Sequence, residues 1–158
     1  MRTFFRAAVL VVVAGVSAIQ LIAQTTDPVL GTWELNVTKS TFNPGPAPKS
    51  ETRTYVVSGQ EIKGTATGVD SQGKAVAIEW TLVDDGKDRP VTGNPDMDML
   101  SIKRIDSHTV ESTHKRAGKV VATAKRTVSK DGKTLTISTK GTNAKGQAIN
   151  NVQVFEKR

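Results

Sequence analysis

Lys119-Val120-Val121-Ala122-Thr123-Ala124-Lys125-Arg126-Thr127-Val128-Ser129 runs into Lys130-Asp131-Gly132-Lys133 and leaves as Thr134-Leu135-Thr136-Ile137-Ser138-Thr139-Lys140-Gly141. Two stretches rich in Val, Ile and Thr flank an Asp-Gly pair, and that pair supplies the positive backbone angle a tight hairpin needs. Side chains alternate across a strand. Val120, Ala122, Ala124 and Val128 therefore form one row and Thr123, Lys125 and Thr127 the other, which puts Arg126 on the apolar, inward row. In the returning strand, Leu135 and Ile137 are the inward pair.

The same punctuation recurs outward in both directions. Ser58-Gly59-Gln60, Asp70 to Lys74, Asp84 to Lys87, Asp106-Ser107-His108, Ala117-Gly118-Lys119 and Asn143 to Gln147 all carry turn residues. Between them lie stretches without helical period, placing strands near 30–37, 51–58, 61–69, 75–83, 98–105, 109–116, 119–129, 134–141 and 148–156, with a shorter candidate at 89–92. Nearly all neighbours are joined by tight turns, which favours an all-β, antiparallel up-and-down β-barrel of about 8–10 strands over a Greek-key sandwich. Closure removes exposed sheet edges. Two connections are long. Thr38 to Ser50, with Phe42-Asn43-Pro44-Gly45-Pro46-Ala47-Pro48, is too rich in Pro for helix or central strand and reads as a lid or Ω-type loop; Arg89 to Asp96 is the other.

Alternation also describes the interior. Val76, Ile78, Trp80 and Leu82 form an apolar row, and Ile62, Gly64, Ala66 and Gly68 form a row of mostly small residues. Arg53 and Tyr55 share a face with Val57, and Ser112 and His114 share one with Val110. Small inward residues leave room for a ligand. An inward Arg126 needs a negative partner, either an internal carboxylate or an anionic ligand.

The chain has 158 residues, 22 Lys plus Arg against 15 Asp plus Glu, and no Cys. That is one domain, with no disulfide scaffold, thiolate metal site or Cys nucleophile. Arg2 and Arg6 precede an apolar run from Ala7 to Ala18, the pattern of a secretory leader. Cleavage is expected after residue 18 or 23, so residues 1–23 are read as a signal peptide and 24–158 as the exported barrel domain, periplasmic or secreted, with no membrane span. Losing Arg2 and Arg6 takes the formal charge from +7 to +5. The remaining cations are scattered through turns and not gathered beside stacking aromatics, so no nucleic-acid partner is expected. His108 and His114 make no metal constellation, Asp84, Asp85 and Asp88 miss the spacing of a calcium loop, and no nucleophile elbow, zinc-protease helix or phosphate loop occurs. No catalytic residue, metal or cofactor is assigned.

The opening strand Pro28-Val29-Leu30-Gly31-Thr32-Trp33-Glu34-Leu35 resembles the Gly-x-Trp start of lipocalins and fatty-acid-binding proteins, the calycin barrels. Lys125-Arg126-Thr127-Val128, Asp131-Gly132-Lys133 and the closing Val152 to Lys157 resemble the last hairpins of fatty-acid-binding proteins. In that resemblance Arg126 falls on an inward arginine that holds a ligand carboxylate, while Gln153 and Phe155 stand where a second Arg and a Tyr occur. The Pro-rich segment takes the place of the helical pair of fatty-acid-binding proteins and resembles the long loop of lipocalins. Trp33 is expected to close the base, with Lys157 or Arg158 over it.

The resemblance implies an exported bacterial barrel that binds, without catalysis, a small hydrophobic or amphiphilic molecule, mostly apolar and with an anionic group as one variant. Arg126, Tyr55, His114 and Gln153 are the candidate polar contacts, Trp80 is apolar wall, and Phe42 is the cover of the mouth. An alternative is an envelope structural or protein-interaction domain with a filled barrel, its surface function on the loop from Arg89 to Asp96. A third is an enzyme of this fold using Tyr55, His114 or Arg126.

Overall fold

The computed structural model describes residues 27–158, so the expected leader and both its cleavage positions lie outside the described residues. Ten strands follow in order: β1 Gly31–Leu35, β2 Ser50–Ser58, β3 Glu61–Val69, β4 Ala75–Leu82, β5 Arg89–Thr92, β6 Met99–Arg104, β7 Thr109–Arg116, β8 Lys119–Val128, β9 Thr134–Thr142 and β10 Ala148–Lys157. Each pairs antiparallel with its neighbour, and β1 pairs with β10, giving a closed up-and-down barrel. The segment at 89–92 is a true strand and completes the circle between β4 and β6.

The hairpins form where glycine frees the backbone. In the turn between β7 and β8, Ala117 and Gly118 take φ of 49° and 76°, the left-handed pair that matches strand twist. Ala carries a cost in that region that Gly and Asn largely escape.

Two expectations need correction. β8 does not keep one row inward along its whole length, because His114 faces Ala122 while Lys115 faces Val120, leaving Val121 unpaired in a bulge. The extra residue flips the row. Val121 lines the interior, and Val120 is 59% exposed.

The Pro-rich connection is not a free lid. After β1, Asn36 caps a 3-10 turn at Val37–Lys39, which ends the first strand two residues before the expected position 37. The chain then runs back to β10, where Thr41 and Val152 exchange backbone hydrogen bonds at 2.8 Å in both directions and the Asn150 N–H donates to Asn43 O at 2.8 Å. Proline cannot donate, but the residues that pair here are Thr41 and Asn43, so the ladder bonds survive. The segment is a strap along β10.

The core gathers at one end of the barrel. Trp33, Leu135, Phe155 and Val29 are fully buried, with Leu35 and Val128 beside them. Trp33 closes the base as expected: its indole N–H donates to Val29 O at 2.7 Å, and the Lys157 ammonium stands 5.0 Å from the ring centre. Removing so large a buried ring costs about 3–5 kcal/mol. Among the described residues no helix is long and apolar enough to cross a membrane.

Candidate functional site

Above this packed base the interior opens into a cavity of about 200 Å³. Its walls follow from the alternation of the strands. β4 presents Ile78 and Trp80, β3 presents Ala66, β6 presents Leu100 and Ile102, and β8 presents Ala122 and Ala124. The alanines supply the room, but the two glycines of the small row do not: Gly68 lies outside the cavity wall, where a Cβ would meet the Ser50 backbone oxygen. Gly64 lies directly opposite Trp80, and a Cβ there would collide with the indole, so the space this glycine leaves is occupied by the ring. The indole is thereby held against the wall, edge-on to Tyr55 with ring centres 5.7 Å apart and planes at 72°.

Five of the six residues singled out by sequence line the cavity: Tyr55, Trp80, His114, Arg126 and Gln153. Phe42 does not. It sits in the strap, half-buried against the hydrophobic core, and the cavity wall is formed without it.

Two arginines enter the interior with different surroundings. Arg53, on β2, lies between the rings of Trp80 and Phe155, 5.5 and 5.0 Å from their centres, and its Nε donates to Glu51 Oε1 at 2.5 Å. Glu51 Oε2 accepts from Gln153 Nε2 at 3.2 Å, which ties β10 to β2 across the short β1. Burial opposes the charge of Arg53, but the attraction of Glu51 and Tyr55 outweighs it and raises the guanidinium pKa above its ordinary value. Arg53 and Glu51 together are electrically neutral. Sequence placed Arg53 on the inward face without assigning it a role; its partner Glu51 is two residues away on that face, a spacing that could have revealed the pair.

Arg126 has no such partner. Its guanidinium lies 5.5 Å from the ring centre of Tyr55, and it forms no ion pair with a carboxylate among the described residues. Among the described residues no internal carboxylate neutralises it, which answers the question its inward position raised. Nearby, His114 and Ser112 are joined Nε2 to Oγ at 3.0 Å. Burial, and then the positive charge of Arg53, push the His114 pKa down to about 4, so the imidazole is neutral at pH 7. Among the described residues no group of three His, Cys, Asp or Glu is placed to hold a metal ion.

The outer end of the cavity is polar, lined by Asn94, Asp96, Asn151 and Thr142. Here Asp96 Oδ1 accepts the Ala144 N–H at 2.7 Å, joining the loop after β5 to the hairpin between β9 and β10. Sequence had treated these as separate turns, and no local pattern links residues 48 positions apart. The turns at this end carry Lys49, Lys74, Arg116, Lys119 and Lys145, none of them ion-paired among the described residues. Their carboxylates, Asp70, Asp96 and Asp98, accept backbone N–H groups of the turns. The mouth is net positive.

No family model matches the chain, and no curated protein matches it. Solved structures similar to it include the redesigned β-barrel mFAP1 bound to DFHBI, 13% identical, covering 82% of this chain and 95% of its own at a TM-score of 0.46. A second redesigned barrel, mFAP0 bound to DFHBI, is 13% identical, with 82% and 99% coverage and a TM-score of 0.43. Zebrafish ileal bile acid-binding protein complexed with cholic acid is 13% identical, with 83% and 99% coverage and a TM-score of 0.47.

Proposed function

We propose that this chain is an exported, non-catalytic carrier that takes a small, mostly apolar molecule into its barrel and holds an anionic group of that molecule at Arg126. The observation that carries the reading is an interior arginine without a carboxylate partner among the described residues, facing a cavity of about 200 Å³ whose other walls are largely apolar. A cation brought in from water without an internal partner is costly, and a ligand carboxylate offers a paired, hydrogen-bonded alternative. Binding sites of this kind combine apolar walls with a few convergent polar groups.

Two further points favour the reading over its rivals. A general base works best with a pKa near the operating pH, and His114, at about 4, is far below it. A cavity of this size also weighs against an envelope domain whose interior is filled by its own side chains. Export rests on the basic, then apolar, pattern from Arg2 to Ala18.

Native mass spectrometry of the protein recovered from an exporting host tests the reading. A mass beginning at residue 19 or 24 with a discrete non-protein adduct supports an exported carrier. A bare mass that stays bare after exposure to a lipid and metabolite extract overturns the carrier, and an uncleaved chain overturns export. Arg126→Ala is expected to weaken an anionic ligand by about 1.5–3 kcal/mol while sparing its neutral analogue; equal losses for both would remove Arg126 from the site.

A further inference from the structure

The room, the floor and the charge balance of the cavity together restrict the ligand further than "small and apolar". About 200 Å³ is little more than the roughly 150 Å³ of a cavity that accepts benzene. The floor is closed. Trp33, Leu135 and Phe155 are fully buried beneath it, and the gap at Gly64 is taken by the Trp80 indole. A long alkyl chain needs more volume than about 200 Å³. The Tyr55 and Trp80 rings on the wall suit a flat ring, which gains edge-to-face contact that a chain does not.

The charges are as restrictive. Arg53 is neutralised by Glu51, leaving Arg126, among the described residues, as the cavity cation without a carboxylate partner. The unpaired cations of the mouth stand on its turns and do not line the cavity; among the described lining residues of the outer end the charged one is Asp96, which repels a second negative group inside, while Asn94 and Asn151 accept a neutral polar one. Arg126 lies two residues before the base end of β8 and Ala122 near its mouth end, which orients the anion inward.

We infer that the ligand is a compact monoanionic acid of one-ring size, seated with its carboxylate toward Arg126 and its ring between Tyr55, Trp80 and Ala124. This rests on the carrier reading above.

Isothermal titration calorimetry with four probes tests it: benzoate, its neutral counterpart benzamide, the dianion terephthalate, whose second carboxylate points away from the first and toward Asp96, and hexadecanoate. Benzoate is expected to bind at least about tenfold more tightly than each of the others, the scale of one hydrogen-bonded charge contact. Arg126→Gln should reduce benzoate to the level of benzamide, with an unchanged far-ultraviolet circular dichroism spectrum showing that the variant is folded. Ala124→Leu, which fills the cavity and leaves the charges alone, should weaken benzoate and benzamide together. Hexadecanoate or terephthalate binding as tightly as benzoate overturns the inference and leaves the carrier standing. Silence from all four probes, with an adduct acquired from the extract, also overturns the inference alone; silence together with a bare mass overturns the carrier as well.

Discussion

His114 shows how one buried side chain sets a pH dependence for the whole protein. Unfolded, its imidazole takes a proton near the ordinary value of 6.5; folded, it does so only near 4. Between those values the unfolded chain binds the extra proton, so stability falls as pH is lowered from about 6.5 to about 4 and loses nothing more from this group below that. The loss is on the order of 3 kcal/mol. Urea unfolding across that window should show it in the parent protein and a clearly flatter profile in His114→Gln; parallel profiles would mean that the imidazole is not desolvated. Gly64 makes the opposite point, that a missing side chain can position a large one. Gly64→Ala should drive the Trp80 indole off the wall and into the cavity, at a cost of about 1–3 kcal/mol. The check is a change in tryptophan emission together with lost ligand binding.

At the scale of elements, the hairpin of β7 and β8 carries a correctable flaw. Ala117 holds a φ of 49° in a turn where Asn is the better residue, so Ala117→Asn should raise the melting temperature, with a gain of about 0.5–1 kcal/mol. An unchanged or lower melting temperature would show that the turn does not limit this hairpin. The ten strands were legible because each boundary carries Gly, Asn or Asp at a turn, and the inward rows of β4 and β9 followed from alternation alone. Alternation failed at Val120, because a bulge at Val121 adds one residue and nothing local in Val120-Val121-Ala122 marks which Val is the extra one. The strap was misread for a related reason. Its prolines signal what the segment cannot do, while the pairing of Thr41 with Val152 depends on a strand more than a hundred residues away. Of the site, Tyr55, Trp80, His114 and Arg126 were visible from strand period, and Gln153 from the resemblance of the closing strand. The neutral Arg53–Glu51 pair and the Asp96–Ala144 link required the closed barrel.

For the molecule as a whole, charge is distributed unevenly along the barrel axis. Most ion pairs lie on the wall or around the base, including Arg104 with Asp27 and Arg158 with Glu34, while the cations at the mouth are unpaired among the described residues. An anionic ligand approaching that end should be guided inward, and its association rate should fall as salt rises toward 0.1 M, where charges separated by more than about 10 Å are screened. Lys119→Glu with Lys145→Glu should slow association by up to about tenfold with little change in dissociation. Stopped-flow mixing separates the two rates, and a salt-independent rate would rule the guidance out. The ends of the described chain lie on the other side. β1 and β10 are neighbours, Trp33 stands opposite Lys157, and the Arg158 N–H donates to Thr32 O at 3.0 Å. Asp27 and Arg158 thus emerge close together, away from the mouth, and a short linker between them would give a circular permutant that can be reopened at the Gly132 turn. A fluorescent reporter grafted at that new opening would sit behind the floor of the cavity, leaving the ligand's route in untouched.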